Sequence, residues 1–128
     1  MEREQLERIA KQTLDCAFRV HSELGPGLLE RAYETCLLLE LHEQGLSAVT
    51  QKALPIVYRG VKIDAGFRLD LLIEDELIVE IKAVESILPV HSAQLLSYLR
   101  MSDKRLGLLI NFNVSRLKQG IKRVVNNL

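Results

Sequence analysis

RLDLLIEDELIVEIK, residues 68–82, reads as a β-hairpin whose charges set the expectations for the whole chain. Leu, Ile and Val dominate both halves, and Glu74-Asp75-Glu76 supplies the turn. With the turn centred on Asp75, Ile73 faces Leu77, Leu71 faces Val79 and Leu69 faces Ile81, so one face is wholly apolar and packs on a core. The opposite face pairs Leu72 with Ile78, Asp70 with Glu80 and Arg68 with Lys82. Directly opposed like charges destabilise a sheet, because their Cβ atoms lie only ~4.5–5.5 Å apart. A divalent cation such as Mg²⁺, which takes one or two carboxylates plus waters and a substrate phosphate, would hold Asp70 and Glu80 together. Lys82, two residues beyond Glu80 on the same face, can orient a water beside such an ion. These three side chains form an inventory for metal-assisted phosphodiester hydrolysis. The competing reading is a solvated face on which Arg68 pairs diagonally with Glu80 and Asp70 with Lys82.

Outward from the hairpin, helical spacing of Leu6, Ile9, Ala10, Thr13, Leu14, Ala17 and Val20 predicts a first helix over residues 2–24, broken by Gly25-Pro26-Gly27. A second helix is expected over 28–44, ending at Gly45. Its Leu37, Leu38, Leu39 and Leu41 cover a wide arc, which implies deep burial or a homo-oligomer contact. Strands are expected over 52–58 and 61–73 around an Arg59-Gly60 turn, then over 77–84. A helix over 90–101 follows Pro89, an interior strand covers 106–112, and Ser115 caps a final helix to about residue 126. No repeat or linker divides the chain, so residues 1–128 are expected to form one domain.

Composition narrows the function. With 128 residues, 48% hydrophobic and 27% charged, the chain is ordinary for a globular protein. No apolar run approaches the ~20 residues of a membrane helix, so no membrane partner is expected. The charged, amphipathic start MEREQLERIAKQ is unlike a secretory signal, and two cysteines, Cys16 and Cys36, without CxxC spacing fit a reduced cytoplasm. The net charge is zero, which argues against a sequence-blind nucleic-acid coat. Residues 100–128 nevertheless carry seven Lys/Arg against Asp103 alone. Arg116, Lys118, Lys122 and Arg123 are therefore either phosphate contacts or a solvated basic helix.

Asp70, followed by Glu80-Ile81-Lys82 on the next strand, resembles the signature of the PD-(D/E)XK nuclease superfamily, with Leu69 in place of the literal proline. Gly27-Leu28-Leu29-Glu30-Arg31-Ala32-Tyr33 is similar to the motif of its GxxExxY group of small bacterial and archaeal proteins. Gln94-Leu95-Leu96-Ser97-Tyr98 is similar to the QxxxY helix of its RecB-like members. The phrases Leu24-Gly25-Pro26-Gly27 and Leu108-Leu109-Ile110-Asn111-Phe112 also resemble the GxxExxY group.

The resemblance implies an α/β, restriction-endonuclease-like fold: an αβββαβ core, a mixed four-stranded sheet flanked by helices, and an extra N-terminal helix. It implies a Mg²⁺- or Mn²⁺-dependent nuclease acting on nucleic acid, with DNA the expected substrate. Asp70, Glu80 and the Ile81 carbonyl would hold the metal, and Lys82 would position the water. Glu30 would add an acid, Gln94 would support the site, and Tyr98 would pack near it or touch substrate phosphate. Tyr33 and His21 are expected to be structural. The alternative is a non-catalytic nucleic-acid-binding or protein-interaction module on the same fold.

Overall fold

A computed structural model describes the chain from Met1 to Leu128. The apolar stripe of the N-terminus forms α1 (Arg3–Leu24), which buries Leu6, Ile9, Ala10, Thr13, Cys16, Ala17 and Val20. Gly25, with φ of +66°, ends it by donating its N–H to the His21 carbonyl at 2.8 Å. Helix α2 (Glu30–Glu43) follows, burying Tyr33, Leu37 and Leu41, one residue per turn. The broad burial expected of α2 does not occur: Leu39 stands exposed, and the helix faces the core along a single stripe.

The strands are β1 (Ala48–Ala53), β2 (Ile56–Tyr58), β3 (Val61–Ile63), β4 (Arg68–Ile73) and β5 (Leu77–Lys82). Helix α3 (Pro89–Ser102) leads to β6 (Leu106–Asn111), a 3₁₀ turn (Leu117–Gly120) and β7 (Ile121–Val125). The expected strands 52–58 and 61–73 are each split. Pro55 cannot donate to a ladder, and Gly66 lies in the left-handed region at φ +78°. The intervening residues fold into a separate β2–β3 hairpin. Glu74 and Asp75, within the three-residue turn between the paired Ile73 and Leu77, both have positive φ.

The main sheet has the order β1-β4-β5-β6-β7, so it is five-stranded rather than four-stranded. Only β5 and β6 run parallel, joined by α3; every other neighbour is antiparallel. Helices α1 and α2 cover one face, where Leu71, Ile73, Leu77, Val79 and Ile81 meet Tyr33, Leu37 and Leu41. Helix α3 covers the other, packing Leu95, Tyr98 and Leu99 on Leu72, Ile78 and Leu109. The result is the α/β layering expected, with helices on both faces of a mixed sheet.

The fifth strand replaces the expected C-terminal helix. Ile121, Val124 and Val125 are β-branched and favour a strand, and Gly120 is a poor helix residue. Pairing of Leu109 with Lys122 and Ile110 with Ile121 covers the edge that β6 would otherwise expose. Gly120 is required where the chain turns back, because a Cβ there would lie 2.2 Å from the Asn111 carbonyl oxygen. Gly120→Ala is expected to lower stability by about 1–3 kcal/mol, as forced overpacking does. Urea unfolding checks this; an unchanged midpoint would mean that the turn relaxes freely.

Candidate active site

The hairpin register matches the expectation as far as the carboxylates. Ile73 pairs with Leu77, Leu72 with Ile78 and Leu71 with Val79. The β4–β5 ladder stops there, and side chains take over. The Asp70 N–H donates to Glu80 Oε2 at 2.8 Å, and the Ile81 N–H donates to Asp70 Oδ2 at 2.8 Å. Each carboxylate thus accepts an N–H from the strand carrying the other, and both sit in the gap where the strands part. The parting also corrects the expected position of Leu69. It packs on the α3 side with Leu72 and Phe67, whereas Leu71 lies on the α1–α2 side. Strand β4 therefore swivels at Asp70. On its other side, Gln51 of β1 has φ of +53°, while Thr50 and Lys52 keep their pairing with Leu71 and Leu69. A non-glycine residue in the left-handed region inside a strand is strained, and such strain gathers at functional sites.

Glu80 is only 4% exposed. Its pKa is pushed up to about 8, first by burial and then by the neighbouring Asp70 charge. The Asp70 N–H and the Lys82 charge oppose this shift. Tyr98 is buried against Phe67, with ring centroids 5.9 Å apart. Burial and then the charges of Glu80 and Asp70 raise its phenol pKa. Neither diagonal ion pair of the competing reading forms: Arg68 faces Asp64 at 4.0 Å, and neither Asp70 nor Glu80 has a cationic side chain within that distance. Lys82 is half-buried at the end of β5, also without an ion-pair partner.

Asp70 opens into a cleft of about 570 Å³ lined by Leu28, Glu30, Glu34, Gln51, Ile81 and Ala83, among others. Glu30 and Glu34 share one face of α2. Glu34 Oε1 accepts from Gln51 Nε2 at 2.9 Å, and the same amide lies 3.4 Å from Asp70 Oδ1. Glu34 and Gln51 were not expected here. Glu34 is four residues beyond Glu30, a spacing that could have pointed to it, but Gln51 reaches the cleft through sheet pairing and leaves no sequence signal.

Gly27 and Tyr33 help position this wall. The Tyr33 hydroxyl donates to the Gly25 carbonyl at 2.6 Å and accepts the Leu28 N–H at 3.1 Å. Its ring stacks on Phe112 at 4.5 Å. Gly27 donates to Asn113 Oδ1 at 3.1 Å, and Asn111 bonds both the N–H and the carbonyl of Val84, at 3.1 and 2.9 Å. The loop that starts α2 is thereby tied to the chain just beyond Lys82, and Glu30 lines the same cleft as Asp70 and Ile81. His21 is structural, with Nε2 2.8 Å from the Val114 carbonyl oxygen.

The structure shows no hydrogen bond from Gln94 or from the basic C-terminal residues to the two acids. Gln94 is exposed on α3, one turn before Tyr98. The basic C-terminal residues are not gathered on one surface. Arg123 forms an ion pair with Glu7 of α1 at 2.6 Å, Lys122 lies on the opposite face of β7 beside a second cavity, Arg116 precedes the 3₁₀ turn and Lys118 lies within it. A strand sends neighbouring side chains to opposite faces, which a helix would not have done.

The mixed sheet with helices on both faces is consistent with a restriction-endonuclease-like fold. The family model described as the PD-(D/E)XK nuclease superfamily matches residues 7–124, and the chain belongs to that superfamily. Its members are generally divalent-metal dependent, and membership points to nuclease-type function. No curated protein and no solved structure matches the chain. No helix is long and apolar enough to cross a membrane.

No three His, Cys, Asp or Glu side chains close on a common point, so a metal would be held by fewer side chains. The donors present fit a hard divalent cation that keeps several waters. They are carboxylate oxygens, adjacent, largely buried in the case of Glu80 and uncompensated by any ion-paired cation.

Proposed function

We propose that the chain is a Mg²⁺- or Mn²⁺-dependent nuclease of the GxxExxY type that hydrolyses nucleic-acid phosphodiesters, with DNA the favoured substrate. The observation that carries this reading is the break in the β4–β5 ladder. Asp70 and Glu80 are brought together there, each bonded to the other's strand, with no positive partner for either. A structural sheet gains nothing from giving up ladder bonds to place two acids side by side.

Asp70, Glu80 and the Ile81 carbonyl would hold the ion. When bound, it supplies Lewis-acid activation of water and neutralises charge at the phosphoryl oxygens. Lys82, on the Glu80 side of β5, would orient the attacking water and stabilise its deprotonated form. Glu30 and Glu34 line the cleft wall, and Gln51 holds the Glu34 and Asp70 side chains in register across it. Tyr98, buried on α3 against Phe67, would pack near the site and meet a substrate phosphate at its edge.

The test is cleavage of single-stranded, duplex and branched DNA and RNA with Mg²⁺ or Mn²⁺. Cleavage is expected with at least one substrate, abolished by EDTA and by Glu80→Ala. Absence of cleavage across the panel, or equal cleavage by Glu80→Ala, would overturn the reading.

A further inference from the structure

The β2–β3 hairpin stands outside the main sheet. Its register pairs Ile56 with Ile63 and Tyr58 with Val61, so these four side chains share one face. That face is open: Tyr58 is 63% exposed, Val61 60% and Ile63 42%. A lone two-stranded hairpin is marginal in water, and four apolar groups on its surface have no reason there unless something covers them. The chain's other two tyrosines are buried, one clamping a loop and one packed on Phe67. Tyr58 alone presents its ring to solvent, next to a tight turn in which Arg59 and Gly60 both have positive φ.

The charge of this segment identifies the class of partner. Residues 51–68 carry Lys52, Arg59, Lys62 and Arg68 against Asp64 alone, in a chain whose net charge is zero. Lys52, Arg59 and Lys62 take no ion-pair partner. Two copies meeting face to face would bring like charges together, whereas a polyanion would neutralise them. The root of the hairpin is held rigidly beside the acids. Leu54 donates its N–H to the Phe67 carbonyl at 3.0 Å, Phe67 packs on Tyr98, and Arg68 is two residues before Asp70.

We infer that the β2–β3 hairpin is an arm that grips unpaired nucleic acid next to the cleft, with Tyr58 stacking on a base, Arg59 at the turn meeting a phosphate, and Lys62, on the opposite face with Val57, meeting the strand as it wraps the arm. The arm's placement rests on the nuclease reading, which it extends by assigning a preference for single-stranded segments. An aromatic face accepts any base, so this contact is tolerant of sequence.

The experiment measures binding of a fluorescently labelled oligothymidylate by anisotropy in EDTA, where cleavage plays no part. Tyr58→Ala is expected to weaken binding about ten-fold, within the range for losing one stacked base, and Tyr58→Trp to restore it. The double variant Arg59→Ala/Lys62→Ala is expected to reduce the log–log salt slope by about 0.7 per lost contact. Binding of the matching duplex should change far less with Tyr58→Ala. Equal oligothymidylate affinity in wild type and Tyr58→Ala would overturn the arm. So would conversion of a dimer to a monomer by Tyr58→Ala with binding unchanged, which would make this face a self-association surface. The outcome is separable from that of the nuclease reading. A protein that cleaves nothing but loses oligothymidylate through Tyr58→Ala keeps the arm and loses the nuclease. A protein that cleaves, and whose affinity ignores Tyr58, does the reverse.

Discussion

Lys82→Ala is expected to cleave nucleic acid at least ~10²-fold more slowly than wild type, the scale for removing one preorganised catalytic group. Metal and nucleic acid should still bind. The separation follows from geometry: Lys82 ends β5 with no ion-pair partner, so its ammonium is available to a water but is not needed to hold a cation. Glu80→Ala should behave differently, losing metal binding together with activity, because it removes one of the two paired carboxylates. Mn²⁺ titration calorimetry and single-turnover cleavage, run on both variants, distinguish the two roles. If the charges were only a surface pattern, each variant would shift stability by the ~0.2–1 kcal/mol of a cross-strand pair and leave activity alone. A Lys82→Ala protein that cleaves at the wild-type rate would remove Lys82 from the mechanism.

The second large effect concerns stability against pH in the absence of metal. The Glu80 pKa of about 8 in the folded chain lies well above the ~4.3 of an unfolded glutamate. The folded state therefore holds a proton that the unfolded state gives up. The stability this contributes is fully present below about pH 4.3 and is lost as pH rises through 8, at up to ~1.4 kcal/mol per pH unit in between. The total is on the order of a few kcal/mol, a large part of what holds a domain of this size together. Glu80→Gln keeps the neutral form at every pH. It should be the more stable protein at pH 8 and should lack the slope. Mn²⁺ should reverse the loss in wild type at pH 8, because it favours the ionised carboxylate and stabilises by mass action. Neither Glu80→Gln nor Asp70→Asn should show that response in full. Urea unfolding at pH 5, 6.5 and 8 is the measurement, and identical profiles for wild type and Glu80→Gln would refute the assignment.

Local patterns carried far in this chain where one face of an element is apolar and its turn chemistry is strong. The stripe of α1 could be read directly, because burying it requires one orientation. The pairing of Leu71 with Val79 and Ile73 with Leu77 could also be read, since the Glu74-Asp75-Glu76 turn sets which residues face each other. That register was enough to bring Asp70 opposite Glu80. The family resemblance of Gly27, Glu30 and Tyr33 implied a helix start near the site, and Tyr33 and Asn113 hold that loop.

Tertiary structure decided the rest. Residues 121–125 alternate too weakly to declare a strand by themselves; the open edge of β6 settles them as β7, and that choice separates Lys122 from Arg123. Gln94 and Tyr98 share a helical spacing, but which of them is buried depends on how α3 rolls against the sheet, and it is Tyr98. Glu34 and Gln51 meet across a helix–sheet boundary, a contact between residues 17 positions apart that no local periodicity encodes. The sequence by itself determined the strand pair and the acids it carries, because side-chain alternation and turn geometry are local. The parting of the strands at Asp70, which changes two opposed acids into a site, comes from packing. Leu69 turns to the α3 side while Leu71 stays with α1 and α2, and the ladder opens between them.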